Sequence, residues 1–203
     1  MATKHIVQRL AVCALAVGLP SVATAQERSG FWINFGVGSG SGSINAEDLS
    51  GRRLKGGRDS GIDADLGLGW ALNRQLLVGV DIKTMAGTLV VDAERRFVIA
   101  NVAGIVTYYP KTTSNLFLYG GVGGSFVDVD QDIGAGEQIE HSGGGLGFTI
   151  GAGYDVYLGR GFSLTPAVSY WYGRPGDLQV QGQTLLRNWR HNVVDIVVSI
   201  KFN

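Results

Sequence analysis

Charged residues recur inside otherwise aliphatic runs. Ile62-Asp63-Ala64-Asp65-Leu66-Gly67-Leu68 is one such run, and Val78-Gly79-Val80-Asp81-Ile82-Lys83 is another. A third, Val193-Val194-Asp195-Ile196-Val197-Val198-Ser199-Ile200-Lys201-Phe202, nearly ends the chain. Successive side chains of a strand point to opposite faces. If Ile62, Ala64 and Leu66 face one way, Asp63 and Asp65 face the other, as do Asp81 and Lys83 on the next run. A hairpin centred on Arg74 sets Asp65 opposite Lys83 and Asp81 opposite Gly67. Opposite charges directly across a strand pair attract. The expected chemistry is an internal Asp65–Lys83 pair, shared with Asp81. By the same parity Asp155, Asp195 and Lys201 join Asp63, Asp65, Asp81 and Lys83 in one inward network. Its carboxylates outnumber its lysines, which would favour cations in any pore. An eight-stranded interior barely holds its own side chains, so a network that fills the space is the plainer expectation.

Other stretches carry weaker chemistry. Arg52, Arg53, Lys55 and Arg58 in GRRLKGGR could meet phosphates, whose geometry guanidinium groups match. Asp128, Asp130 and Asp132 match the opening of a calcium loop, but Ile133 and Ile139 stand where it needs Gly and Glu, so no metal site is assigned. GVGSGSG (36–42) resembles a nucleotide loop without the helix such a loop requires. Its glycines suit tight sheet curvature instead. A nucleophile needs a placed base. Past the first 25 residues only His141 and His191 remain. No catalytic residue and no cofactor is expected.

The elements that must position these groups have a period of two. Candidate strands lie near Phe31 to Gly38, Ile62 to Trp70, Val78 to Lys83, Phe97 to Tyr109, Leu116 to Val127, Leu146 to Leu158, Phe162 to Gly173 and Trp189 to Phe202. Short turns (72–75, 110–115, 159–161) alternate with long connections (39–60, 87–96, 128–145, 174–188) that hold most of the charge. Pro166 sits badly in this scheme, because a strand with two neighbours loses a ladder bond there. A bulge or a place at the rim would accommodate it.

Residues 1–25 read as a removed secretory signal: a basic start (Lys4, His5, Arg9), an apolar run (Leu10 to Leu19) and Ala23-Thr24-Ala25. Cys13, the single cysteine, falls inside it, so the expected domain at 26–203 has no disulfide. That domain would carry fifteen Lys and Arg against seventeen Asp and Glu, which gives no ground for nucleic acid binding. Charged residues are 17% of the chain, against about 25% in ordinary soluble domains. A soluble barrel would present one dense charged face to water. Here the face opposite the aliphatics is Gly, Ser, Thr, Asn and a few charges. Small residues suit a narrow interior and aliphatics suit lipid. In lipid a sheet must close on itself, because nothing else satisfies its backbone. The expected fold is all-β: an eight-stranded antiparallel up-and-down transmembrane β-barrel. Trp70, Tyr108, Tyr109, Tyr154, Tyr157 and Phe202 would form one interfacial belt, and Phe126, Tyr170 and Tyr172 the other.

FWINFGVGSGSG (31–42), IVTYYPKTTSNLFLYGGVGG (105–124) and VVDIVVSIKF (193–202) resemble the small Gram-negative outer-membrane barrels, including the outer membrane protein A barrel, outer membrane protein X and the opacity-type proteins. The resemblance covers the chain after the signal as architecture. It implies an outer-membrane location, contact with lipid and lipopolysaccharide, a monomer, and a last strand read by the barrel-assembly machinery through Ile200 and Phe202. Asn203 after Phe202 departs from the usual ending. Some such barrels modify lipid A with Ser and His, but neither histidine sits in that pattern. The expected role is non-catalytic surface interaction or envelope integrity, with a narrow porin-like passive pore as the alternative.

Overall fold

The computed structural model describes residues 28–47, 50–91, 93–132, 138–180 and 183–203. The expected signal segment lies outside them. The described residues form nine strands: β1 (Gly30–Glu47), β2 (Arg53–Ala71), β3 (Leu76–Val91), β4 (Ala93–Tyr108), β5 (Leu116–Asp132), β6 (Gln138–Tyr154), β7 (Val156–Gly159), β8 (Phe162–Val180) and β9 (Gln183–Phe202). Each pairs antiparallel with its chain neighbour, save that β6 and β7 share the partner β8. β9 pairs β1 from Ile33↔Phe202 to Glu47↔Arg187, which closes the barrel. Because β6 and β7 are two pieces of one stave, the barrel has eight staves.

The break between those pieces has a local cause. β6 meets β8 as far as Gly153↔Ala167, and β7 resumes in the same register at Val156↔Leu164. The unpaired stretch faces Thr165 and Pro166. On the other side of β8 the ladder runs through Pro166↔Val198 without a shift. Proline's missing N–H is thus accommodated by a gap on one side, not by a bulge.

The long connections are not loops. Apart from the short β7, the strands run 16 to 20 residues where about ten cross a bilayer, so four hairpins continue the ladder beyond the apolar belt. Polar sequence does not stop a strand whose backbone still has a partner, because pairing is a main-chain interaction. The fourth hairpin is irregular. Gly176 (φ 86°) and Asn188 (φ 53°) take left-handed backbone where β8 and β9 lose register. Asp177 Oδ1 accepts from the Asn188 N–H at 3.1 Å.

Short turns close the other end. Asn73 Oδ1 accepts from the N–H groups of Gln75 and Leu76 at 2.8 and 2.9 Å. Tyr109 N–H donates to Gln75 O at 2.8 Å and ties that turn to the next.

Burial alternates along each stave. Phe35, Ile62, Val122, Leu118 and Ile150 face outward and are exposed. So do Val194, Ile196, Val198, Ile200 and Phe202, while Asp195, Ser199 and Lys201 are buried inside. An outward belt of this kind is costly in water and suits hydrocarbon. Trp70, Tyr108, Tyr157 and Phe202 stand outward at the short-turn end, and Phe126 toward the hairpins. Tyr109 corrects the expected belt. It is fully buried, because its parity in the stave points inward, where Asp155 receives its hydroxyl.

Candidate functional site: the barrel interior

Glycine makes the interior possible. Gly36, Gly38, Gly40 and Gly42 line the inner face of β1, and a Cβ at Gly38 would collide with the backbone of Ile196 and Val197. That bare face leaves room for long side chains from β2, β3 and β9.

Toward the hairpins the interior is apolar. Ile44, Met85, Phe97, Ile99, Val127, Trp171, Trp189 and Val193 form one buried cluster. A charged belt lies below it. Lys83 Nζ stands 2.6 Å from Asp65 Oδ2 and 3.6 Å from Asp195 Oδ2. Asn34 Nδ2 donates to Asp65 Oδ1 at 2.6 Å. Asp195 also accepts from Ser169 N–H at 3.1 Å, Ser169 Oγ at 2.5 Å and Trp171 Nε1 at 3.0 Å. Asp81 joins this belt with Oδ2 unpartnered, and Asp63 is fully buried with neither oxygen partnered. The belt therefore holds four carboxylates around one ammonium.

Nearer the short turns is a second apolar cluster, with Trp32, Leu77, Ile105 and Phe117. Beneath it Asp155 gathers three donors: Thr165 Oγ1 at 2.7 Å, Tyr109 OH at 2.6 Å and Lys201 Nζ at 3.3 Å. Lys201 Nζ donates to Tyr109 OH at 2.6 Å as well. Arg28 covers this group. Its guanidinium lies 3.5 Å from the Tyr109 ring centre, and Nη2 donates to Ser114 O at 2.8 Å and Asn115 Oδ1 at 3.3 Å. The structure thus brings Asp65, Lys83 and Asp195 into one group and Asp155 and Lys201 into another.

Arg28, Tyr109 and Trp171 carry much of this interior and were not singled out for it in the sequence. Arg28 precedes the first alternating run, so periodicity gives it no face. Trp171 was legible only as an inward residue by parity. His191 lies inside the barrel, where Ser125 Oγ stands 3.2 Å from Nε2; both side chains are sealed from solvent.

Of the basic run, Arg52 is exposed ahead of β2, and Arg53, Lys55 and Arg58 fall within that strand. Their side chains lie outside the described residues. Asp128 is exposed on β5. Among the described residues no group of three or more His, Cys, Asp or Glu is placed to hold a metal ion.

No family model matches the chain, and none of the curated proteins matches it. Solved structures do. Neisserial surface protein A is 18% identical over 87% of this chain and 100% of its own, with a TM-score of 0.53. Ail, the attachment invasion locus protein of Yersinia pestis, solved with the heparin analogue sucrose octasulfate, is 12% identical over 85% of this chain and 99% of its own, at 0.55. The outer membrane protein OprG from Pseudomonas aeruginosa is 17% identical over 89% and 100%, at 0.54. The chain has the closed eight-stave antiparallel fold of the small outer-membrane barrels.

Proposed function

We propose that this protein is an outer-membrane barrel of a Gram-negative bacterium whose work is done by its four long hairpins, without catalysis. The observation that carries the reading is the occupied interior. An apolar cluster of eight large side chains, a charged belt and the Arg28–Tyr109 stack succeed one another along the axis. A lumen filled in this way favours the non-conducting reading over the passive pore. The buried Ser125–His191 pair has no open path to a lipid substrate, which speaks against lipid modification.

The hairpins differ in charge. The first and fourth adjoin where β1 meets β9. The first carries Arg52, Arg53, Lys55 and Arg58 against Glu47, Asp48 and Asp59, and the fourth carries Arg174, Arg187 and Arg190 against Asp177, so both are net basic. The third carries Asp128, Asp130, Asp132, Glu137 and Glu140. The basic side suits phosphate or sulfate groups, such as those of lipopolysaccharide. The sucrose octasulfate held by Ail is a precedent for a polyanion on a barrel of this fold. In this reading the barrel-assembly machinery takes the chain by its last strand, with Ile200 and Phe202 outward, and the inserted protein is a monomer.

The test is binding of purified lipopolysaccharide and of heparin to the detergent-solubilised protein. Replacing Arg52, Arg53, Lys55 and Arg58 by Ser should weaken binding and flatten its salt dependence. Unchanged binding would remove the basic hairpin from the function.

A further inference from the structure

Behind Arg28 lies a cavity of about 50 Å³, lined by Asp65, Asp81, Trp32, Phe117, Tyr119 and Lys201 among others. That is space for a few small particles, since one water needs roughly 10–15 Å³ on this measure. Its charges are unevenly matched. Lys83 is engaged by Asp65 and Asp195, and Lys201 by Asp155 and the Tyr109 hydroxyl. Asp81 is 4% exposed, lines the cavity, and presents Oδ2 with no donor. A buried carboxylate oxygen without a partner is costly unless a proton, a cation or water reaches it. Trp32, Phe117 and Tyr119 line the same wall, where Lys201 already lies over the Trp32 and Phe117 rings and Lys83 over the Tyr119 ring.

From the short-turn end two layers cover the cavity: the Tyr109–Asp155–Lys201 group, and Arg28 as the outermost side chain stacked on it. Arg28 is buried although it precedes β1 and belongs to no strand. Besides the Tyr109 stack and the Ser114 and Asn115 bonds, Nη1 donates to Arg74 O at 3.5 Å. The guanidinium therefore bridges the turn between β2 and β3 and the turn between β4 and β5. It is held by neutral acceptors and a ring face, with no carboxylate within salt-bridge distance among the described residues. Release of this contact costs no ion pair.

We propose that the cavity is a small-cation site at Asp81, and that Arg28 is the latch over it. The site takes a desolvated or singly hydrated monovalent cation, and the latch sets how fast that cation exchanges. The apolar cluster at the hairpin end keeps the site a dead end.

The experiment is cysteine accessibility in a Cys13→Ser background, on full-length protein in detergent with folding verified by its heat-modifiable gel shift. Thr107 lines the cavity and Thr107→Cys is close in volume. A cationic methanethiosulfonate reagent should modify Cys at this position slowly in the latched protein, and at least about tenfold faster with Arg28→Ala. An anionic reagent of similar size should lag the cationic one by at least about tenfold in the Arg28→Ala background, a floor well below what one unit charge a few ångströms away supplies at an effective dielectric near 20. Asp81→Asn should bring the two reagents to parity. Arg28→Lys, which keeps the charge and loses the fork, should fall between latched and open and serves if Arg28→Ala does not fold. Equal rates with and without the latch, or no reaction in either, would overturn the latch. Equal rates for both reagents with Asp81 intact would overturn the cation site.

Discussion

Lys83→Met removes the ammonium from the charged belt and keeps most of the side-chain volume. Asp65 then retains only Asn34 Nδ2, at 2.6 Å, and Asp195 retains its Ser169 and Trp171 donors. Lys83 is 2% exposed, so bulk water does not replace it and only the adjoining cavity lies open to Asp65. Removing one partner of a buried pair typically costs about 3–5 kcal/mol, because the other charge stays buried. The loss here belongs at that scale, since Asp63 and Asp81 already lack donors nearby. The double replacement Asp65→Asn with Lys83→Met removes both charges and should recover most of the loss, because a matched neutral pair is often no less stable. Equilibrium urea unfolding in lipid vesicles, followed by tryptophan fluorescence, reads all three variants and closes a double-mutant cycle. A cost below about 1 kcal/mol for Lys83→Met, or no recovery in the double variant, would refute the reasoning.

Further outcomes follow from packing. Gly38→Ala places a methyl against the backbone of Ile196 and Val197 and should prevent closure or cost about 3 kcal/mol, whereas Gly104→Ala meets nothing nearer than 4.0 Å and should change the unfolding midpoint little. Trp171→Phe deletes the Nε1 donor to Asp195 at 3.0 Å and should cost about 1–3 kcal/mol in the same assay. Phe202→Ala removes the ring 5.1 Å from Phe162 and should lower the heat-modifiable fraction recovered from outer membranes, with an unaltered fraction counting against the assembly role.

The staves and their closure were legible because a wall between lipid and a narrow interior demands strict alternation. Ile62-Asp63-Ala64-Asp65 and Val194-Asp195-Ile196 state their two faces residue by residue. The short turns were legible from Asn73, Pro110 and Gly159, which are turn residues for separate physical reasons. The hairpins were read as loops because runs such as GRRLKGGR (51–58) carry polar and charged residues without a clean alternation. The split at Asp155 needed the partner of Pro166, which is a neighbour in space only. Arg28 depends on two turns brought together by closure, a non-local contact no window of sequence contains. The inward side of Asp63 and Asp81 follows from parity; that they lack donors follows only from where every other side chain has gone.

The proposed role at the hairpins requires a filled interior. Single-channel recording in planar bilayers tests that most directly. Purified, heat-modifiable protein should insert without discrete conductance steps above leak. Reproducible steps carrying either sign of ion would show an open lumen and contradict it.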